Sequence, residues 1–103
     1  MINCSEKYKD IALRYGLANQ INRLVEECSE LIQAVMKYKR ITESKGLELE
    51  KLMLAKENII EELADVCVIM EQIIYLFGCK REVEKTADLK IMRQIKRIND
   101  KTE

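Results

Sequence analysis

The sequence predicts an all-α fold, an antiparallel bundle of about four helices completed by oligomerisation. Three observations predict it. The 103 residues include no Pro and only three Gly, so little in the chain interrupts a helix. Apolar residues recur every three or four positions, and no run alternates with the period of two that a half-buried strand needs. The stretch from Leu63 to Phe77 is apolar on nearly all sides, which calls for cover on more than one face and points to packing against another subunit.

The elements follow in order. Ser5 is placed to cap a short first helix that runs to about Tyr15, with Ile11, Ala12 and Tyr15 on one side and Gly16 as its stop. A second helix is expected from Ala18 to Arg40, because Leu17, Ile21, Leu24, Cys28, Leu31, Ile32 and Val35 form an amphipathic stripe. Lys37, Lys39 and Arg40 near its end complement the helix dipole. Ile41 to Leu47, with Thr42, Ser44 and Gly46, reads as a loop. The third helix is expected from Glu48 to Phe77 with Gly78 as C-cap, and should be the central, most buried one. A fourth, from Arg81 to Asn99, carries Val83, Ala87, Ile91, Ile95 and Ile98 as its inner stripe, and the last four residues should fray. Residues 1–103 read as one domain.

Composition narrows the function. Hydrophobic residues make up 48% and aromatics 5%, with no Trp, so the core is aliphatic. Lys plus Arg equals Asp plus Glu at 18 each, and a net charge of zero argues against general nucleic-acid binding. Neither a membrane-length apolar run nor a signal-peptide core is seen, so the expected location is the cytoplasm with no membrane partner. In that reducing compartment Cys4, Cys28, Cys67 and Cys79, which form no CxxC pair, read as small hydrophobes. There is no His, so a metal site would be built from oxygen ligands.

The third helix holds an anomaly. With Asp65 set at zero and ~100° per residue, Glu62 lies near +60°, among Ile69 near +40°, Ile73 near +80° and Val66 near +100°. Two carboxylates therefore share the packing arc, which is costly unless a cation compensates them. On the second helix, with Glu27 at zero, the apolar arc spans about +40° to +180°, Glu30 lies near −60° and Glu26 near −100°. Glu27 borders the core, Glu30 stands one step outside it, and Glu26 faces away. Each helix thus carries an acidic pair at i, i+3, and antiparallel packing would bring Glu27, Glu30, Glu62 and Asp65 together. Like charges at close range raise one another's pKa, and a hard divalent ion such as Mg²⁺ or Mn²⁺ relieves the repulsion.

These residues carry a resemblance. Glu26-Glu27-Cys28-Ser29-Glu30 and Glu62-Leu63-Ala64-Asp65, with flanks from Leu24 to Ala34 and from Ile60 to Ile74, resemble the EExxE…ExxD signature of the MazG-like all-α nucleoside triphosphate pyrophosphohydrolases. The resemblance covers the second and third helices well and the rest loosely. It implies Mg²⁺-dependent hydrolysis of a nucleoside triphosphate, often a deoxynucleotide, to monophosphate and pyrophosphate. It also implies that Glu27, Glu30, Glu62 and Asp65 ligate the metal, with Glu27 or Glu30 as general base. Family members place basic residues on the last helix, where Lys90, Arg93 and Arg97 are the candidates here; Lys37, Asn58 and Gln72 lie beside the acidic residues as further substrate contacts. The chain departs from many relatives in carrying Asn58 in place of Lys, Ile69 in place of Asn or Tyr, and no Trp for base stacking. The expected partners are the nucleotide and the chain itself, as homodimer or homotetramer. A phosphoribosyl-ATP pyrophosphohydrolase-like enzyme and a catalytically weak nucleotide- or metal-binding module are the alternatives.

Overall fold

The computed structural model describes residues 6–102, and the regular elements among them are three helices: α1 (Lys7–Glu43), α2 (Leu49–Phe77) and α3 (Lys80–Thr102). The expected break after Tyr15 appears as a kink within α1. Gly16 adopts φ 81, ψ 162, a conformation essentially closed to residues with a Cβ, and the helix resumes directly after it. Ser5, the expected cap, lies outside the described residues, as does Cys4; Glu6 precedes the helix and makes no capping bond through its side chain. The short arm before the kink folds along the far end of α2. There Tyr8 meets Tyr75 edge-on at 6.3 Å between ring centroids, and the Lys9 ammonium lies 5.4 Å from the Tyr75 centroid.

α1 runs past its expected end because hydroxyl groups satisfy its last carbonyls. Thr42 Oγ1 donates to the Lys39 carbonyl at 2.7 Å and Ser44 Oγ to that of Ile41 at 2.8 Å. The loop is accordingly shorter than expected, from Ser44 to Glu48. α2 ends as expected at Gly78, in the left-handed region at φ 63, ψ 35. Its N–H donates to the Tyr75 carbonyl at 3.0 Å, and that of Cys79 to Ile74 at 3.2 Å.

The short loop makes α1 and α2 antiparallel neighbours, and their interface holds the core: Ala12, Ala34, Ala55, Val66, Ile69 and Ile73. Val66, Ile69 and Ile73 are the arc on which the carboxylates of α2 were expected. The small alanines let the two backbones approach closely.

α2 is the central and most buried helix, as expected, but it is covered along one face only; Ile60 and Phe77 remain 55% and 58% exposed. The last helix has no inner face at all. Val83, Ala87, Ile91, Ile95 and Ile98 are all exposed, because α3 meets α2 marginally and does not reach α1. The cause is the two-residue connection: left-handed Gly78 and then Cys79 send α3 away from the α1–α2 pair. The radius of gyration is 17.6 Å, against about 13 Å for a compact chain of this length.

Candidate metal centre

Antiparallel register builds the centre. Gln20 on α1 donates a hydrogen bond to Gln72 Oε1 on α2. Two turns further along α1 comes Glu27, and two turns back along α2 comes Asp65; one more step on each helix reaches Glu30 and Glu62. One carboxylate oxygen from each of Glu27, Glu30, Glu62 and Asp65 lies within 4.8 Å of all the others. Glu26 is exposed and stays outside this cluster.

Burial is graded across the four. The Glu27 side chain is 12% exposed and Glu62 is half-buried, whereas Glu30 and Asp65 open to solvent. Burial, with Asp65 and Glu30 nearby, pushes the Glu27 carboxyl above its usual range. Burial, with Glu30 and Asp65, does the same to Glu62. Among the described residues one cation pairs with them: Arg23 Nη2 sits 3.3 Å from Glu27 Oε1, one turn away on the same helix. That exposed guanidinium is a weak counterweight to four acidic groups. Glu27 Oε2 and Glu62 Oε2 are buried with no hydrogen-bond partner among the described residues.

These orphaned oxygens test the fit of a cation. An acceptor shielded from water is costly to leave unmet, and a cation held by the cluster would offset that cost. The donor set is all oxygen, matching a hard divalent ion. The cluster is able to hold a metal ion.

Two cavities flank it. Toward the α1–α2 loop, Lys37 and Asn58 line one with Glu30 and Glu62. Toward the Gly16 kink, Gln72 lines the other with Glu27, Asp65 and Tyr15. Lys90, Arg93 and Arg97 are exposed on α3 and line neither, so a single chain does not bring them to the carboxylates.

Sequence reasoning passed over several residues of these walls. Gln20 is 2% exposed although polar, and its Oε1 is buried without a partner. Its signal was its place two turns before Glu27 on the same face. Arg23, one turn before Glu27, and Arg40, one turn after Lys37, were available by the same count. Among the described residues no helix is long and apolar enough to cross a membrane. No protein-family profile matches the sequence, and comparisons with curated proteins and with solved structures find no significant match.

Proposed function

We propose that this chain is a MazG-like nucleoside triphosphate pyrophosphohydrolase, releasing pyrophosphate from a nucleotide, preferentially a deoxynucleoside triphosphate. The observation that carries the reading is the four-carboxylate cluster on two antiparallel helices, with buried, unpartnered oxygens on Glu27 and Glu62. Glu27, Glu30, Glu62 and Asp65 would hold Mg²⁺, with Mn²⁺ as a substitute. When bound, the metal neutralises phosphate charge and acidifies water beside it. Glu27 or Glu30 receives the proton lost by the attacking water. Lys37 and Asn58 orient the phosphates, while Gln72 faces the nucleoside side.

The reading includes self-association. The chain exposes 8578 Å², whereas a compact monomer of its mass exposes about 6,000 Å². Covering much of the difference would need an interface of the size found in obligate homodimers. The exposed apolar residues of α3 and the open flank of α2 supply it, in a homodimer or homotetramer. A partner's α3 would also carry its Lys90, Arg93 and Arg97 toward the carboxylates, which one chain does not do. The cytoplasm, where nucleotides and Mg²⁺ meet, is the matching location.

The test is pyrophosphate release from a panel of ribo- and deoxynucleoside triphosphates together with phosphoribosyl-ATP. Turnover should require Mg²⁺, vanish with EDTA, and vanish in Glu62→Gln and Asp65→Asn. Turnover of phosphoribosyl-ATP alone would select the related enzyme, and metal or nucleotide binding without any turnover would select a binding module.

A further inference from the structure

Beside the acidic cluster, toward the α1–α2 loop, lies a cleft of about 730 Å³ whose charged residues are mostly basic and stand among Ile41, Leu54 and Ala55. Lys37 and Arg40 reach it from the end of α1, Lys45 from the loop and Lys51 from the start of α2. Only Glu48 opposes them, and it lies 3.5 Å from Lys51. Lys37, Arg40 and Lys45 have no ion-pair partner among the described residues. Three uncompensated cations facing one concavity repel each other, and an anion within it relieves that repulsion. The volume is that of an ordinary small-ligand site.

The cleft is continuous with the metal centre. Lys37, Arg40 and Asn58 line both this cleft and the smaller cavity that contains Glu30 and Glu62. On the opposite side of the carboxylates the wall changes character. Tyr15, Gln20, Ile69 and Gln72 are uncharged, and the one cation, Arg23, is already committed to Glu27. The groove between α1 and α2 is thus electrically polar: cationic toward the loop, acidic in the middle, neutral toward the Gly16 kink.

We infer that the loop-side cleft binds the pyrophosphate end of the nucleotide, with Arg40, Lys45 and Lys51 as its unassigned contacts. The inference rests on the reading of the carboxylates as a cation site, and it adds a direction to it. The terminal phosphates point to the loop and the nucleoside to the kink, because a polyanion has its lowest energy along the basic wall. Pyrophosphate, once formed, leaves from the cleft that held it. The site is open to solvent, so its affinity should fall with ionic strength.

Calorimetric titration with inorganic pyrophosphate in the presence of Mg²⁺ tests this on the full chain. Wild-type protein should bind, and Arg40→Gln and the double variant Lys45→Ala/Lys51→Ala should each bind roughly tenfold more weakly. All three side chains are exposed, and unchanged helicity and melting temperature would establish that the variants remain folded. Unchanged pyrophosphate affinity in both variants overturns the proposal. So does loss of affinity in Lys90→Ala/Arg93→Ala/Arg97→Ala in their place, which would assign the phosphates to α3. The cation reading is judged separately, by Mg²⁺ binding to wild type and Glu62→Gln. If that fails while cleft variants still weaken pyrophosphate binding, the anion site stands without the metal.

Discussion

Gln20 and Gln72 face each other across the α1–α2 interface, 2% and 3% exposed, and the hydrogen bond between their side chains locks the register that brings the carboxylates together. A slip of one residue on either helix would turn Glu27 away from Asp65 by about 100°. An amide pair in an otherwise aliphatic interface specifies this alignment better than apolar contacts do, since misalignment leaves buried polar groups unpaired.

Replacing Gln20 alone by Leu should therefore cost about 1–3 kcal/mol, because the Gln72 amide loses its partner in a buried site. The double variant Gln20→Leu/Gln72→Leu should recover much of that loss. Urea denaturation of both single variants and the double gives the coupling energy. A cycle that closes with no coupling would mean that the pair does not hold the register.

The acidic cluster should make the metal-free protein less stable as pH rises. Glu27 and Glu62 both hold protons more tightly in the fold than at the ordinary carboxylate value of 4.5, chiefly because they are buried. Their stabilising contribution is complete below that ordinary value and is lost as pH climbs through the raised folded value. In the presence of chelator, urea midpoints should thus fall on going from mildly acidic to neutral pH. Glu62→Gln, which mimics the protonated form, should flatten the profile.

Mg²⁺ should reverse this loss. At a hundredfold excess over its Kd a ligand bound only by the folded state adds about 2.7 kcal/mol. For a domain of this size that corresponds to a rise in Tm of about 10 °C or more. Differential scanning calorimetry with and without Mg²⁺ measures the shift, and a Glu62→Gln/Asp65→Asn variant should not show it.

The kink offers a test of backbone strain. A Cβ on Gly16 would meet nothing within 4 Å, so the penalty for Gly16→Ala is conformational alone. It should amount to about 1–3 kcal/mol, or else the arm should straighten and release Tyr8 from Tyr75. Thermal melts report the first outcome, and tyrosine ring shifts in NMR report the second.

Self-association should depend on α3. Ile91 and Ile95 are each 53% exposed and lie one turn apart. Charged substitutions at both, Ile91→Glu/Ile95→Glu, should shift sedimentation from oligomer to monomer. Pyrophosphohydrolase turnover should fall with it if the partner's α3 helps to bind substrate.

Much of the centre was legible in the sequence because helical periodicity is a local property. Counting by 100° placed Glu62 beside Val66, Ile69 and Ile73 and turned Glu26 outward, and the structure agrees on both; Asp65, expected on the same packing arc, is exposed instead, because it lies at the edge of that arc. The helix stop at Gly78 was equally legible, since a left-handed C-cap is a property of one residue and its neighbours. The end of α1 was not, because two hydroxyl-to-carbonyl bonds extended a helix that Thr42 and Ser44 seemed to close.

By itself the sequence determined helix content, the faces that carry charge, and the demand for an antiparallel partner to Glu62 and Asp65. Each follows from residue type and the 3.6-residue turn. Only the tertiary structure decided which groups meet. Register across α1 and α2 joined the four carboxylates, put Gln20 against Gln72, and ran a basic cleft from Lys37 to Lys51. It also decided that α3, amphipathic by pattern, covers nothing in its own chain. Periodicity states that a helix has an apolar face; the angle of a two-residue turn states where that face points.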